Sequence, residues 1–332
     1  MVNNSVLKNL LNEYDKKQIK ASNELENRKK ELFNSIPRLK EIEDKLNFCA
    51  INSAKSILLS NNSEILKNLE KEISLLKQER ISLLEKAGKD LNYLSPIYEC
   101  SKCNDTGYFL ENNQSVMCGC LKQKILDIKY NNSNFGNLER ENFSTFNINL
   151  YSNEINEAKY NSDISPRDNI KLIKKEVQNF IKNFNDPDEK NLLFSGGTGL
   201  GKTFLSNCIV AELLSQGKTV LYQTAPVMLD TLITELFSKD KENIFSQNLL
   251  SVDLLVIDDL GTETMNSMKF TELYKIINTR LLNQNGKITK TIISTNLDLQ
   301  GLFNTYDERI VSRFIGHYNI YRFFGDDIRF KK

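Results

Sequence analysis

Gly196-Gly197-Thr198-Gly199-Leu200-Gly201-Lys202-Thr203 decides the fold of this chain, because it fits G-x-x-x-x-G-K-[ST], the spacing of a phosphate-cradling loop. Each position has a physical task. The glycines let the backbone turn sharply and aim several N–H groups at an anionic phosphate chain. Lys202 brings a full positive charge to the β- and γ-phosphates, Thr203 offers a hydroxyl to Mg²⁺, and Phe204 follows in the first helical turn. The loop opens a helix, whose N-terminus carries partial positive charge.

A Gly-rich turn before an ordinary core helix is the plainer alternative, and the flanks decide against it. Asn191-Leu192-Leu193-Phe194-Ser195 reads as a short buried strand entering the loop, and Phe204 to Leu214 as an apolar helix leaving it. That strand–loop–helix order is the context the motif requires, so nucleotide binding is expected.

Further strands follow: Thr219–Gln223, Val252–Asp258, Thr291–Thr295 and Ile320–Phe324, separated by helical stretches. Their apolar runs are short, β-branched and nearly continuous, the mark of parallel strands buried on both faces. The expected fold is α/β, a doubly wound parallel sheet with its ligand at the carboxyl ends of the strands.

Asp258-Asp259 ends the most apolar of these strands. Asp258 is expected on the Mg²⁺ side, directly or through water, and Asp259, ionised, is expected to polarise an attacking water. Alternatively, two acids merely terminate a strand. A whole strand, Thr219–Gln223, lies between the loop and the acidic pair, which separates this chain from simple kinases and small GTPases and points to ATPases that form rings or stacks. Asn296, closing Thr291–Asn296, either orients water near the γ-phosphate or is a turn residue. Arg309 and Arg313 stand four apart on one helical face, either solvated or able to enter a neighbour's site; Arg329 is a second candidate, acting on its own subunit's nucleotide.

Bulk properties bound the rest. The chain has 332 residues, enough for about two domains, with 40% hydrophobic and 26% charged residues, as in a globular protein. No apolar run approaches a membrane span, and the start lacks a basic segment followed by an apolar one, so no membrane partner and a cytoplasmic address are expected. A net charge of +1 gives no global footprint for nucleic acid, so DNA contact requires a local patch. The single histidine, His317, nearly excludes His-based acid–base chemistry and shifts attention to carboxylates, Lys and Arg.

Four of the six cysteines cluster as Cys100-x2-Cys103 and Cys118-x-Cys120. Four thiolates at this spacing match a closed structural Zn²⁺ site, with the turn Asn104-Asp105-Thr106-Gly107 resembling a zinc knuckle. An iron–sulfur cluster, a redox C-x-x-C pair and unpaired core cysteines are the alternatives; Cys49 and Cys208 read as small buried hydrophobes. Upstream, to about residue 95, the pattern is helical. Leu25, Leu32, Leu39 and Leu46 recur every seven residues, Pro37 interrupts with Ser35 placed to cap, and a third helix starting at Asn62 or Ser63 carries Leu66, Leu69, Ile73, Leu76 and Leu83 to a stop near Gly88. A small helical bundle or hairpin is expected, serving as a domain core or a protein-docking module. Asn131 to Asn137 looks like a linker. Arg167, Lys171, Lys174 and Lys175, and separately Lys239 and Lys241, are basic stretches that read as solvated surface or as nucleic-acid contacts.

Leu192 to Thr203, Asp253 to Glu263, Ser294-Thr295-Asn296 and Glu308 to Arg313 together resemble the DnaC/DnaI family of bacterial replicative helicase loaders. The resemblance runs from about Phe143 to the C-terminus; Ser165-Pro166-Arg167 and Gly325 to Arg329 also fit it, and the cysteine-bearing part resembles the zinc-bearing domain of DnaI-like members more loosely. It implies an AAA+ P-loop ATPase core with strand order 5-1-4-3-2 and no full helical lid. ATP or ADP with Mg²⁺ is the implied cofactor, with Asn296 as a sensor-1 residue, Arg313 as a trans-acting arginine finger and Arg329 as a sensor-2-like arginine. It also implies that the 226–250 insertion helps hold single-stranded DNA, that the N-terminal region grips a DnaB-type hexameric helicase, and that the chain self-associates through its AAA+ domains. The corresponding division is 1–98 helical and helicase-binding, 99–126 zinc-binding, 127–142 linker and 143–332 ATPase. The expected function is ATP-dependent delivery of the helicase to single-stranded DNA, with weak hydrolysis stimulated by assembly. A transposition helper of the IstB type and a non-catalytic nucleotide-binding adaptor are the rivals.

Overall fold

The computed structural model describes residues 4–59, 63–131, 138, 140–238, 243–282 and 287–330. It forms two units, one of residues 8–116 and one of residues 117–332 together with 1–7.

The first unit is led by three helices, α1 (Asn4–Ser35), α2 (Pro37–Leu59) and α3 (Ser63–Lys86). The break between the first two falls at Pro37, which lacks the N–H a continuing helix would use. Ser35 does not cap α2; it ends α1, its hydroxyl donating back to the Leu32 carbonyl at 2.9 Å. Arg38 at the start of α2 grips Glu79 near the end of α3 through Nε at 2.8 Å and a second nitrogen at 3.0 Å, the antiparallel hairpin the leucine spacing predicts. Leu32, Leu39 and Leu84 share one buried cluster. The side chain of Leu66 lies outside the described residues. A two-stranded hairpin follows, β1 (Tyr108–Glu111) and β2 (Gln114–Met117).

The second unit is a five-stranded sheet covered by helices on both faces. After α4 (Gly119–Leu126), α5 (Glu157–Tyr160) and α6 (Pro166–Lys182) come β3 (Asn191–Ser195), α7 (Lys202–Ser215), β4 (Val220–Thr224), α8 (Ala225–Phe237), α9 (Ile244–Ser251) and β5 (Leu254–Leu260). Next are α10 (Ser267–Leu281), β6 (Lys290–Thr295), α11 (Leu299–Thr305), α12 (Glu308–His317) and β7 (Tyr318–Arg322). Every pairing is parallel and the strand order is β4-β5-β6-β3-β7. Counted from β3, this is the order 5-1-4-3-2, as expected.

Side chains along each strand alternate between two cores. Leu193, Leu221, Leu255, Ile257 and Ile293 face the core shared with α8, α9, α10 and α12; Leu192, Phe194, Val220, Val256 and Ile292 face the one shared with α6 and α7. α6 opens as its sequence dictates: Ser165 Oγ accepts from the Asp168 N–H at 3.1 Å, with Pro166 in the first turn.

Strand bounds shift from the sequence reading by one residue in β4 and β6 and by two in β5 and β7. β5 runs through Asp258-Asp259 to Leu260, and its pairing with β6 shifts register between Ile257 and Leu260. This bulge turns Asp259 out of the pleat, at φ +54°, while Asp258 keeps its register with Thr224 of β4. β7 begins two residues earlier than expected and stops at Arg322, so Phe323 and Phe324 lie beyond it. Of the expected linker, residues 132–137 and 139 lie outside the described residues, while Asn131 is fully buried, its amide donating to the Val220 carbonyl and its oxygen accepting from the Tyr222 N–H, each at 3.0 Å.

Candidate functional site

The carboxyl ends of β3, β5 and β6 meet at one cleft of about 460 Å³. Its wall is the loop from Thr198 to Phe204, faced by Asp259, Thr262 and Asn296, with Glu141, Ile328 and Arg329 completing it. Gly196, Gly197 and Asp258 do not line it but touch the wall, accepting hydrogen bonds from Lys202 and Thr203.

Two glycines of the loop, Gly199 and Gly201, are packed too closely for any side chain. A Cβ on Gly199, whose φ is +68°, would lie 2.0 Å from Asp327 Oδ1; one on Gly201 would lie 2.3 Å from the Tyr151 hydroxyl. Both neighbours belong to segments that hold the loop. Tyr151 Oη donates to the Leu200 carbonyl at 3.1 Å, and the Ile328 N–H donates to the Gly199 carbonyl at 2.9 Å.

Lys202 is 6% exposed, and its ammonium uses all three donors. They go to the carbonyls of Gly196 at 2.6 Å and Gly197 at 2.7 Å and to Asn296 Oδ1 at 2.8 Å. Burial pushes its pKa down, while Asp259 and Asp258 pull it back up. Burial, with the charge of Asp258, raises the carboxyl of Asp259 above its usual range, opposed by Lys202. Asp259 sits at φ +54°, left-handed backbone that aims its side chain into the cleft.

Asp258 is buried and surrounded by donors. Oδ2 accepts from Tyr222 Oη at 2.6 Å and from Thr203 Oγ1 at 3.2 Å; Oδ1 accepts from the Asp259 N–H at 3.2 Å and, at short range, from Ser294 Oγ. Burial and the Asp258 charge push the Tyr222 phenol far up, so it stays a donor. Thr203 and Asp258 thus present adjacent hard oxygens, the donor set Mg²⁺ takes.

The two arginines of α12 part ways. Arg309 is exposed and paired with Asp307 at 2.9 Å, whereas Arg313 is half-buried, Nε donating to Asn278 Oδ1 at 3.1 Å beside the Tyr274 ring. Neither lines the cleft. Arg329 does line it and is paired with Asp327. The basic stretch of α6 is engaged locally, Lys171 with Asp168 at 2.9 Å and Lys174 over the Phe146 ring; Lys239 and Lys241 lie outside the described residues. The 226–250 insertion is α8 and α9, and Phe237 at the end of α8 is 72% exposed.

The ligand atoms of Cys100, Cys103, Cys118 and Cys120 all lie within 4.8 Å of one another. A Zn–S bond of about 2.3 Å puts tetrahedral sulfurs about 3.8 Å apart, so one small thiophilic cation fits. The turn after Cys100 is built by Asp105, buried, whose carboxylate accepts from the N–H groups of Glu99 and Cys100, both at 2.9 Å.

Sequence reading alone passed over Tyr151, Glu141, Thr262, Ile328 and the hydroxyls of Tyr222 and Ser294. Only Ser294 carried a signal, as the first polar residue after Ile292-Ile293 at the end of its strand. Among the described residues, no helix is long and apolar enough to cross a membrane.

A model of the IstB-like ATP binding protein family matches residues 153–331. The Replicative helicase loader DnaC of Buchnera aphidicola subsp. Schizaphis graminum is 29% identical over 150 residues, 44% of this chain and 58% of that protein. The protein of the same name from Escherichia coli K12 is 30% identical over 138 residues, 41% of this chain and 54% of that protein. The chain therefore spans about half the length of the curated relatives it matches. A crystal structure of the DnaC helicase loader aligns with a TM-score of 0.44 at 22% identity, over 57% of this chain and 99% of that one.

Proposed function

This chain belongs to the IstB-like ATP binding protein family, and from that premise we propose that it is an ATP-dependent loader of a hexameric, DnaB-type replicative helicase onto single-stranded DNA. One observation carries the nucleotide half of this reading: Lys202, Thr203, Asp258, Asp259 and Asn296, drawn from three strand ends, converge on one cleft at the phosphate loop. The names of the relatives support the loading half.

In this reading the loop N–H groups and Lys202 bind the phosphates, Lys202 exchanging a loop carbonyl for a phosphate oxygen. Thr203, with Asp258 acting directly or through water, would hold Mg²⁺, which would supply charge neutralisation at the phosphates. Asp259 orients the attacking water and takes its proton, and Asn296 fixes the γ-phosphate side. Arg313 does not reach its own cleft; it completes a neighbour's, so chains stacked side by side on DNA hydrolyse faster than one alone. Arg329 leaves Asp327 for its own subunit's nucleotide. The N-terminal helices grip the helicase, and the four thiols hold a structural Zn²⁺.

Turnover measured with a DnaB-type helicase and single-stranded DNA tests this, with Asp259→Asn as the comparison. The proposal expects stimulated hydrolysis that the variant loses while still binding nucleotide; equal turnover sinks the role of Asp259, and failure to retain the helicase on a pull-down sinks loading. The family description favours one other reading, a transposition helper of the IstB type acting on duplex DNA. The four-cysteine cluster supports the loader over it.

A further inference from the structure

We infer that Tyr222 is a positioning residue for the metal-bearing nucleotide, holding Asp258 so that it serves the metal through water. The inference rests on the nucleotide reading above. A carboxylate offers about four acceptor positions. In Asp258 the donors Tyr222 Oη, Thr203 Oγ1, Ser294 Oγ and the Asp259 N–H take all of them. A direct metal bond would have to evict one of these, in a residue only 4% exposed. A water on the metal need only share an oxygen. Thr203 is placed differently: its hydrogen goes to Asp258 while its own lone pairs stay available for the metal.

The backbone explains why Tyr222 can reach. Thr224 of β4 is the register partner of Asp258 in β5, and Tyr222 stands two residues earlier on the same face of the sheet. Its ring is fixed in the core under α7, and its own N–H is held by Asn131. A phenyl would fill that volume equally well; only the hydroxyl, 2.6 Å from Oδ2, distinguishes tyrosine there.

Tyr222→Phe tests this by fluorescent-nucleotide binding, titrated with Mg²⁺ and repeated in EDTA, alongside thermal melting. The half-saturating Mg²⁺ concentration is expected to rise roughly tenfold, the worth of one hydrogen bond to a charged group, with metal-free affinity unchanged. In an Asp258→Asn background the same substitution should add nothing. An unchanged or lowered Mg²⁺ midpoint overturns the inference, and so does an equal loss of affinity with and without metal, which marks Tyr222 as merely structural. Wild-type protein that binds no nucleotide at any Mg²⁺ concentration instead overturns the nucleotide reading, and this inference with it.

Discussion

Lys202 Nζ and Asn296 Oδ1 stand 2.8 Å apart, so the loop after β3 and the end of β6 share one buried ammonium. Any phosphate that engages Lys202 is therefore felt at Asn296. Asn296→Ala should leave nucleotide affinity within about threefold and lower hydrolysis roughly ten- to a hundredfold, the scale of one lost polar contact to the reacting phosphate. Equilibrium binding and single-turnover rates, measured separately, check it; a loss confined to binding would make Asn296 a structural support for the loop.

Arg313 leans on Asn278 and the Tyr274 ring and stays out of its own cleft. Arg313→Ala should keep nucleotide binding and lower the hydrolysis rate of assembled protein by about a hundredfold or more, as removal of a trans-acting arginine does. The deficit should grow with protein concentration, because only the assembled wild type gains from the residue. A concentration-independent loss, or a fall in melting temperature, assigns Arg313 to the α10–α12 packing.

The four clustered thiols predict about one zinc per chain on elemental analysis of purified protein. Cys103→Ser should bring this near zero, because a closed four-thiolate site tolerates few losses. Folded wild-type protein free of metal would remove the site.

Asp253 offers a pH test away from the cleft. Its Oδ2 accepts from the Thr219 N–H at 2.7 Å and hydroxyl at 2.6 Å, and Lys287 lies 2.8 Å from Oδ1. Burial alone would raise its pKa, but the Lys287 and Thr219 contacts outweigh it and the net shift is downward. A depressed carboxyl stabilises the fold above its unfolded pKa and loses that contribution as pH falls through its folded one. Asp253→Asn should cost about 1 kcal/mol near neutrality. The gap should close below the ordinary value of 3.8, where the wild-type carboxyl also becomes neutral. Melting curves from neutral to acid pH check this; a gap that persists in acid would mean the amide is misfitted rather than uncharged.

The sheet was legible because both faces of β3, β4, β5 and β6 are buried, which leaves unbroken apolar runs such as Leu254 to Ile257, whereas β7 at the sheet edge is half-exposed and its bounds differ by two residues. The phosphate loop was legible because its chemistry is local: eight consecutive residues suffice. What closes the site was not. Tyr151 reaches Leu200 across 49 residues, Glu141 lines the cleft from earlier still and Ile328 comes from beyond β7, and no spacing rule connects such positions. Asp259 was read as a strand-end acid, but its aim depends on a bulge that only the β5–β6 register reveals. The basic stretch of α6 shows the converse, since Lys171 and Lys174 are largely spent on Asp168 and Phe146.

The strand order also carries a message about the order of synthesis. β3 pairs only with β6 and β7, which leave the ribosome about a hundred residues after it, whereas β4 and β5 are each other's neighbours. Closing such long loops is slow and entropically costly. A nascent chain can thus complete its phosphate loop in sequence long before it can build it in space, and competence for nucleotide arrives only when β7 and Ile328 dock. Nucleotide capture by ribosome-bound chains would therefore time the completion of this unit.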